Sequence, residues 1–331
     1  LIPSYHPSYL MRGKWEQTAL VIAHLEKARR IAEGTQSVGK LGEYTTIKTF
    51  SQLLSLRDYL LETDFLWFDC ETTGLDWQED EILCISVASC KGEGYVIPIL
   101  HNDDGELDIF PAWEGRMSQV VATLQEIFRS EIPKGGQNVL FDLRMLERDG
   151  RDEHINAITS FGLNVRGELR DTELLHHSIA ESLPHNMTSN LALYTDIPFY
   201  EDGLKGMKSS MAKVPNEILW SYSAADADGL PRLWDAMRRT AEDEGTDWAL
   251  DNITVPMLRV CRDIEDRGFP INVDYFTRLS RFYGDQIVIA EDALWVAVPH
   301  REPGWKYNYA PTLREVLFKE LRLTRSGRKP K

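Results

Sequence analysis

The sequence predicts a mixed α/β domain, in which helices cover the faces of a sheet, followed by an α-helical C-terminal region. Between Thr46 and about Thr240, short apolar runs of strand length alternate with helical patterns. The first strands follow one another like hairpins and the later ones are separated by helices, which favours a sheet with both antiparallel and parallel strands. Beyond Asp251 the strand patterns fade, and long helical patterns replace them.

Composition sets the broad class of protein. The chain has 331 residues, 43% of them hydrophobic, which is enough for one large domain or two ordinary ones. Lys and Arg total 37 against 52 Asp and Glu, so the net charge of −15 argues against nonspecific wrapping of duplex DNA, although a local groove can still hold a strand. No apolar run approaches the ~20 residues of a membrane helix. Four cysteines without a Cys-x-x-Cys pair, and no signal peptide, predict a cytosolic protein.

The elements divide the chain into three predicted parts. Residues 1–45 comprise a proline-punctuated strap, a helix over Lys14–Glu33 and a glycine-containing linker. Residues 46–245 contain the sheet. Its expected elements are a helix opened by Ser51, strands at Phe65–Glu71, Ile82–Cys90 and Gly94–Ile99, a helix at Met117–Arg129, a short strand before Phe141, and a helix from about Asn216 through Trp234. Residues 246–331 are expected to be helical, with patterns at Ile253–Arg267 and Tyr275–Val298.

Asp69 and Glu71 are the first candidate site residues. They end an apolar strand, where residues i and i+2 point to the same side, so the two carboxylates would repel each other unless a cation lies between them. The alternative is a strand-end pair exposed to water. Three other Asp-x-Glu pairs, Asp104/Glu106, Asp171/Glu173 and Asp263/Glu265, show that the spacing alone is weak evidence. Asp104/Glu106 lies in a polar loop and Asp263/Glu265 in a helical pattern, where i and i+2 share no face.

Two further segments supply acids. Asp142 ends the sequence QNVLFD, just before a helical pattern, where it is either a functional acid or the N-cap of that helix. Tyr222 and Asp226 lie one turn apart in WSYSAADAD and therefore share a helix face, whereas Asp228 is rotated away. A tyrosine and an aspartate on one helix are ordinary by themselves.

Together, FDCET, NVLFD and YSAAD resemble, in this order, the three motifs of the DEDD exonucleases, in the subtype with a tyrosine in the third motif. The resemblance covers roughly residues 46–240 and implies a ribonuclease-H-like fold. It also implies that single nucleotides are hydrolysed from a 3′ end with two divalent metal ions, Mg²⁺ or Mn²⁺. Such ions suit carboxylates, because they are hard and prefer oxygen ligands.

The resemblance also assigns residue roles. One metal ion is expected on Asp69, Glu71 and Asp226, and the other is expected between Asp69 and Asp142. Tyr222 matches the residue that orients the attacking water. The substrate-binding positions match Thr72, Leu75, Asn138 and Phe141. Leu75 is expected as an apolar wedge against the terminal bases, although a leucine here is equally compatible with the core.

The C-terminal region resembles the start of the polymerase region in family A DNA polymerases. The matching segments are RGFPINVD, at residues 267–274, and NYAPTLREVLF, at residues 308–318. This likeness implies a proofreading exonuclease followed by a truncated thumb, without polymerase activity, whose partners are a single-stranded or frayed DNA 3′ end and the rest of the polymerase. The alternative for residues 251–331 is an unrelated helical appendage. A basic tail, Arg322–Lys331, is expected to contact duplex DNA in the intact protein or to be a mobile end.

The N-terminal segment IPSYHPSYLMR resembles the last catalytic motif of uracil-DNA glycosylases, with its histidine at His6. It implies that a glycosylase-like domain precedes Leu1 in a longer gene product, and the alternative is an accidental match. No glycosylase activity is expected from this chain. His176, His177 and His185 lack neighbours at metal-ligand spacing and are expected to pack or to face solvent.

These resemblances imply a metal-dependent 3′-to-5′ exodeoxyribonuclease that releases nucleoside 5′-monophosphates, and the expected setting is the cytoplasm of a bacterium or a phage-infected cell. Two rival functions remain. An RNA-trimming exonuclease would carry the same three motifs, and digestion of matched DNA and RNA would distinguish it. A catalytically silent strand-binding domain would be expected to lack one of the acids, and none is missing.

Overall fold

The computed structural model describes residues 4, 6–13, 15–35, 39–103, 105–150, 155, 157–204, 207, 210–297 and 309–320. Packing divides the chain into two compact units, Leu1–Asp266 and Arg267–Lys331. Each unit is described below by itself. Within the described residues, no helix is both long enough and apolar enough to cross a membrane.

The first unit contains eight strands within the described residues. They are β1 (Glu43–Thr46), β2 (Leu66–Thr72), β3 (Ile82–Ala88), β4 (Glu93–Pro98), β5 (Leu100–Asp103), β6 (Glu106–Ile109), β7 (Lys134–Gly136) and β8 (Leu169–Asp171). Six of them form one sheet in the order β1-β4-β3-β2-β7-β8, and β5 pairs with β6 in a separate hairpin. The sheet is mixed, because β2, β3 and β4 are antiparallel neighbours while β1–β4, β2–β7 and β7–β8 are parallel pairs. The predicted mixed α/β architecture is confirmed.

β1 lies within the stretch expected to be linker. It pairs with β4 from Glu43 opposite Glu93 to Thr46 opposite Val96, and the Ile47 N–H continues the ladder to the Val96 carbonyl at 2.8 Å. This four-residue edge strand is polar, so it has no apolar run by which its sequence would predict a strand.

The helices surround the sheet. In the first unit they are α1 (Pro7–Leu10), α2 (Thr18–Ala32), α3 (Phe50–Leu61), α4 (Met117–Phe128), α5 (Val139–Glu147), α6 (Thr172–Ile179), α7 (Met187–Tyr194), α8 (Asn216–Glu244), α9 (Asp247–Ala249) and α10 (Val255–Arg267). Short 3₁₀ turns occur at Trp15–Gln17, Pro111–Trp113, Glu201–Leu204 and Met211–Lys213, and a π-helical turn at Leu250–Thr254. The N-cap of α3 is Thr49 and not Ser51, since the Thr49 hydroxyl accepts from the Gln52 N–H at 3.2 Å.

The alternation of side chains along β2 gives the sheet two different faces. Phe68 packs edge to face on Phe128 of α4, with ring centroids 5.5 Å apart. Trp67, on the opposite side, packs on Trp234 of α8 at 5.6 Å. β3 is buried along its whole length, as its apolar sequence predicts. The residues of β2 that point to the same side as Trp67 therefore face α8.

The second unit contains α11 (Val273–Ala297), α12 (Ala310–Arg314) and a π-helical turn at Glu315–Glu320. The predicted helical character of this region is confirmed. The compact first unit extends to Asp266, and Leu250 and Val255 are buried in its core. The domain boundary expected at 245/246 stays a prediction. The basic tail Arg322–Lys331 lies outside the described residues.

Candidate active site

β2 carries the first two acids on one face. Asp69 lies opposite Ser86 and Glu71 opposite Cys84 in the antiparallel ladder with β3, and the register shifts between Glu71 and Thr72. The spacing of two therefore directs both carboxylates to one face, as the sequence predicts, and this is the face that α8 covers. Asp69 is half-buried and Glu71 is buried.

α8 approaches this face closely enough to add a third acid. Its side chains near the sheet are small, and the Ser223 hydroxyl lies 3.6 Å from the Cys84 thiol of β3. β4 meets the helix at Gly94, where a Cβ atom would lie only 2.5 Å from the Ala224 carbonyl oxygen. This close contact positions Asp226 above β2.

The carboxylates of Asp69, Glu71 and Asp226 converge. One oxygen from each lies within 4.8 Å of the others, and this is the cluster of potential metal ligands that the described part of the chain contains. Three carboxylates in so small a volume repel one another unless protons or a cation neutralise them. Because all three donors are hard oxygen ligands, the set fits Mg²⁺ or Mn²⁺ and not a soft metal.

Asp142 reaches the same strand from α5. It lies in the first turn of that helix and is buried, and its Oδ1 accepts a hydrogen bond from the Cys70 N–H at 2.9 Å. The N-cap of α5 is Asn138, which has a left-handed φ of 53°. Asp142 is therefore not the N-cap, and the simpler of the two sequence interpretations is wrong.

Asp171 is a buried acid that is not among the predicted site residues. Its carboxylate accepts from the Val139 N–H at 2.8 Å and the Asn138 N–H at 3.3 Å, and it also caps α6 through the Glu173 and Leu174 N–H groups. It thereby fixes the start of α5, which carries Asp142. The Asp-x-Glu spacing at Asp171/Glu173 was the available signal, but in this position it marks a helix cap.

Burial and mutual repulsion raise the pKa values of the acids. Removal from water raises the pKa of Asp69 to about 6. The pKa of Asp142 and that of Asp226 are also raised, first by burial and then by the negative charge of Asp69. Such a site releases protons when a cation binds, as expected of a metal centre built from carboxylates.

Two tyrosines contact Asp226. Tyr222, one turn earlier on α8, hydrogen-bonds to it, and the Tyr200 hydroxyl donates to its Oδ1. The ring centroids of the two tyrosines lie 5.9 Å apart. Burial, followed by the charge of Asp226, raises the pKa of both phenols, so both hydroxyls remain protonated near neutrality. The structure thus confirms that Tyr222 and Asp226 share a face, and it adds Tyr200.

The four predicted substrate-binding residues are adjacent to the acids in sequence but differ in exposure. Leu75, in the turn after β2, is 85% exposed, so it is not a core residue. Thr72 is buried and its hydroxyl donates to the Gly74 carbonyl at 2.7 Å. Asn138 is exposed and Phe141 is half-buried against the core. Their roles remain predictions.

The other singled-out side chains have structural partners. Asp228 accepts hydrogen bonds from the Tyr44 hydroxyl at 3.0 Å, the Gly92 N–H at 2.6 Å and Arg232 at 2.9 Å, so it attaches α8 to the sheet edge. The rings of His176 and His185 contact each other, with their Nδ1 atoms 2.7 Å apart. The expectation that His176 packs is confirmed. His6 caps α1 by accepting from the Ser8 N–H, and its likeness to a glycosylase motif stays a prediction.

Comparisons with known proteins agree with this geometry. A family model described as "3'-5' exonuclease" matches residues 44–242. DNA polymerase I of Borreliella burgdorferi is 24% identical over 85% of this chain and 28% of its own length. The DNA polymerase of Escherichia phage T5 is 22% identical over 99% of this chain and 39% of its own length. The chain therefore spans well under half of these relatives.

A solved structure shares the fold. The POL domain of Pol1 from M. smegmatis, in a complex with DNA primer-template and dNTP, has a TM-score of 0.50 and 14% identity over 87% of this chain and 42% of that one. At this identity the likeness concerns the fold alone. Since the family model covers more than half of the sequence, the chain belongs to the 3′-5′ exonuclease family of the family A DNA polymerases.

Proposed function

We propose that the domain hydrolyses the 3′-terminal phosphodiester bond of single-stranded or frayed DNA and releases nucleoside 5′-monophosphates, with two divalent metal ions, Mg²⁺ or Mn²⁺. The observation that supports this most directly is the convergence of Asp69, Glu71 and Asp226 within 4.8 Å, beside the hydroxyl of Tyr222. No member of the predicted constellation is missing.

Each residue has a proposed task. Asp69, Glu71 and Asp226 would hold one cation, and Asp69 with Asp142 the other. When bound, the two ions supply an activated water and neutralise charge on the leaving oxygen. The Tyr222 hydroxyl, which stays protonated because burial raises its pKa, orients that water by a hydrogen bond. The exposed Leu75 offers an apolar surface to the terminal bases, and Thr72, Asn138 and Phe141 contact the DNA strand.

The relatives also support a proposed wider role. The curated relatives named above are a bacterial and a phage DNA polymerase, so we propose that the domain, residues 46–245, proofreads for a family A polymerase whose thumb begins within residues 246–331. Residues 1–45 are the proposed N-terminal strap and linker. The proposed setting is the cytoplasm of a bacterium or a phage-infected cell, and the proposed partners are a DNA 3′ end and the rest of the polymerase.

The test is a time course on a 5′-labelled single-stranded DNA oligonucleotide, with Mg²⁺, with Mn²⁺ and with EDTA, resolved on a sequencing gel. We expect a ladder that shortens by one nucleotide at a time from the 3′ end and disappears in EDTA. An RNA oligonucleotide of the same sequence should be degraded more slowly. Faster degradation of RNA would instead support an RNA-trimming enzyme.

Two variants make the test specific. Tyr222→Phe removes the proposed water-orienting hydroxyl together with its hydrogen bond to Asp226, and should slow cleavage about 100-fold, a typical contribution of one positioned proton-handling group. Asp235→Asn, an exposed acid on the same helix, should cleave like the unaltered chain. A folded chain that yields no ladder with either metal would overturn the proposal and favour a silent strand-binding domain.

A further inference from the structure

Tyr200 is a half-buried residue outside the three sequence motifs. It lies between α7 and the 3₁₀ turn Glu201–Leu204, and its hydroxyl donates a hydrogen bond to Oδ1 of Asp226. The donor therefore comes from a different part of the chain than the helix that carries the acceptor. A contact of this kind fixes the acid from outside its own helix.

The contact restrains the acid that completes the carboxylate cluster. The backbone of α8 fixes the Cα of Asp226, but the carboxylate can still rotate about its Cβ–Cγ bond. A hydrogen bond to one of its oxygens limits that rotation.

We propose that Tyr200 is a positioning residue, which holds the Asp226 carboxylate in the orientation in which it joins Asp69 and Glu71 around a divalent cation. The inference rests on the proposed function only in so far as that function uses the same cation. Tyr200 thus orients one ligand of the cluster. Tyr222, which hydrogen-bonds to the same acid, is instead assigned to the attacking water. Outer hydrogen-bond partners of metal ligands commonly contribute 10-fold to 100-fold to metal affinity.

The chain contains a matched control for this idea. The Tyr44 hydroxyl donates to Oδ2 of Asp228 at 3.0 Å, so it too joins a tyrosine to an acid of α8. Asp228 belongs to the anchor at the sheet edge and not to the carboxylate cluster. Tyr200→Phe and Tyr44→Phe therefore both delete a phenol hydroxyl that donates to an acid of α8, and only one of the two bonds is directed at the cluster. Tyr44→Phe also removes the acceptor of the Gly42 N–H.

The experiment measures Mn²⁺ binding to the full chain directly, by the electron paramagnetic resonance signal of free Mn²⁺. We expect Tyr200→Phe to raise the Kd for Mn²⁺ about 10-fold and Tyr44→Phe to leave it unchanged. Tyr200→Gln, which keeps a hydrogen-bond donor, should lie between Tyr200→Phe and the unaltered chain. In nuclease assays the loss in Tyr200→Phe should shrink as Mn²⁺ approaches saturation.

Two results would overturn the inference: an unchanged Mn²⁺ affinity in a folded Tyr200→Phe chain, or an equal loss in both phenylalanine variants. If Tyr200→Phe does not fold by circular dichroism, Tyr200→Gln decides by the same measurement. The binding titration also separates this inference from the proposed function. Lack of a nuclease ladder from the unaltered chain rejects the function, whereas a normal ladder with unaltered Mn²⁺ affinity in Tyr200→Phe rejects only the role of Tyr200.

Discussion

The carboxylate of Asp142 accepts a hydrogen bond from the backbone N–H of Cys70, the residue between Asp69 and Glu71. This 2.9 Å contact joins α5 to the strand that carries Asp69 and Glu71, so a backbone donor of that strand fixes the Asp142 carboxylate beside it. The same atom is therefore both a structural acceptor and part of a proposed catalytic group.

Asp142→Asn should separate these two roles. The amide keeps an acceptor for the Cys70 N–H and removes the charge, so we expect a normal fold and a loss of cleavage of about 10³-fold, equivalent to about 4 kcal/mol. Asp142→Ala should abolish cleavage too, but it also leaves a buried N–H without an acceptor and should cost about 1–3 kcal/mol of stability. Thermal melts and the oligonucleotide time course check both statements. Retained cleavage in a folded Asp142→Asn chain would contradict the two-metal assignment.

Without metal, Asp69 should make the protein less stable as pH rises. Its folded pKa of about 6 lies above the ordinary value of 3.8. The folded state therefore binds more protons than the unfolded state between these values, and stability falls with increasing pH across that window. In EDTA at pH 7, Asp69→Asn should raise the free energy of unfolding by about 1–3 kcal/mol.

Urea unfolding from pH 4 to 7.5 tests this prediction. The stability difference between Asp69→Asn and the unaltered chain should grow up to about pH 6 and then level off. Asp58→Asn, an exposed acid on α3, is the control and should show no such growth. A pH-independent difference for Asp69→Asn would contradict the assigned origin of the shift.

His176 should make the protein less stable as pH falls, which is opposite to the effect of Asp69. Burial, assisted by the nearby His185 and His177, lowers its pKa from 6.5 to about 4. Between these values the unfolded state binds more protons, so stability is lost as pH falls through this window. His176→Leu should remove about 2–3 kcal/mol of that pH dependence.

The measurement is the free energy of unfolding at pH 4.5 and pH 7, compared between variants because Asp69 contributes with opposite sign in part of the same range. His177→Leu, the exposed neighbour on α6, is the control and should retain most of the acid destabilisation. An unchanged acid loss in His176→Leu would show that other groups cause it.

Gly94 should be intolerant of a side chain. A methyl group there would lie 2.5 Å from the Ala224 carbonyl, a backbone atom that cannot move without displacing α8. Gly94→Ala should cost about 1–3 kcal/mol or more and reduce metal binding, because α8 carries Asp226.

Gly229→Ala is the matched comparison. Its methyl would meet the flexible end of Met187 at 2.6 Å, and alanine also favours a helix, so its stability should stay within about 1 kcal/mol of the unaltered chain. Denaturant melts and Mn²⁺ titrations of both variants provide the check. Equal stability losses in the two would contradict the close packing of β4 on α8.

Much of the candidate site could be predicted from local periodicity. A strand places Asp69 and Glu71 on one side, and a helix places Tyr222 and Asp226 together, while excluding Asp228. Neither pattern depends on the rest of the fold. The edge strand β1 was not predicted, because a strand held by its backbone pairing needs no apolar pattern of its own.

Tertiary structure alone decided which groups meet across the sheet. The approach of α8 at Gly94, the attachment of Asp142 to Cys70 and the contact of Tyr200 with Asp226 all join residues distant in sequence. No spacing rule connects such residues, because their separation depends on how whole elements pack. Local sequence dictates which acids are present and on which face of its strand or helix each acid lies. The packing of α5, α8 and the Tyr200 segment on the sheet decided that these faces converge, since only close contact between elements fixes distances of a few ångströms.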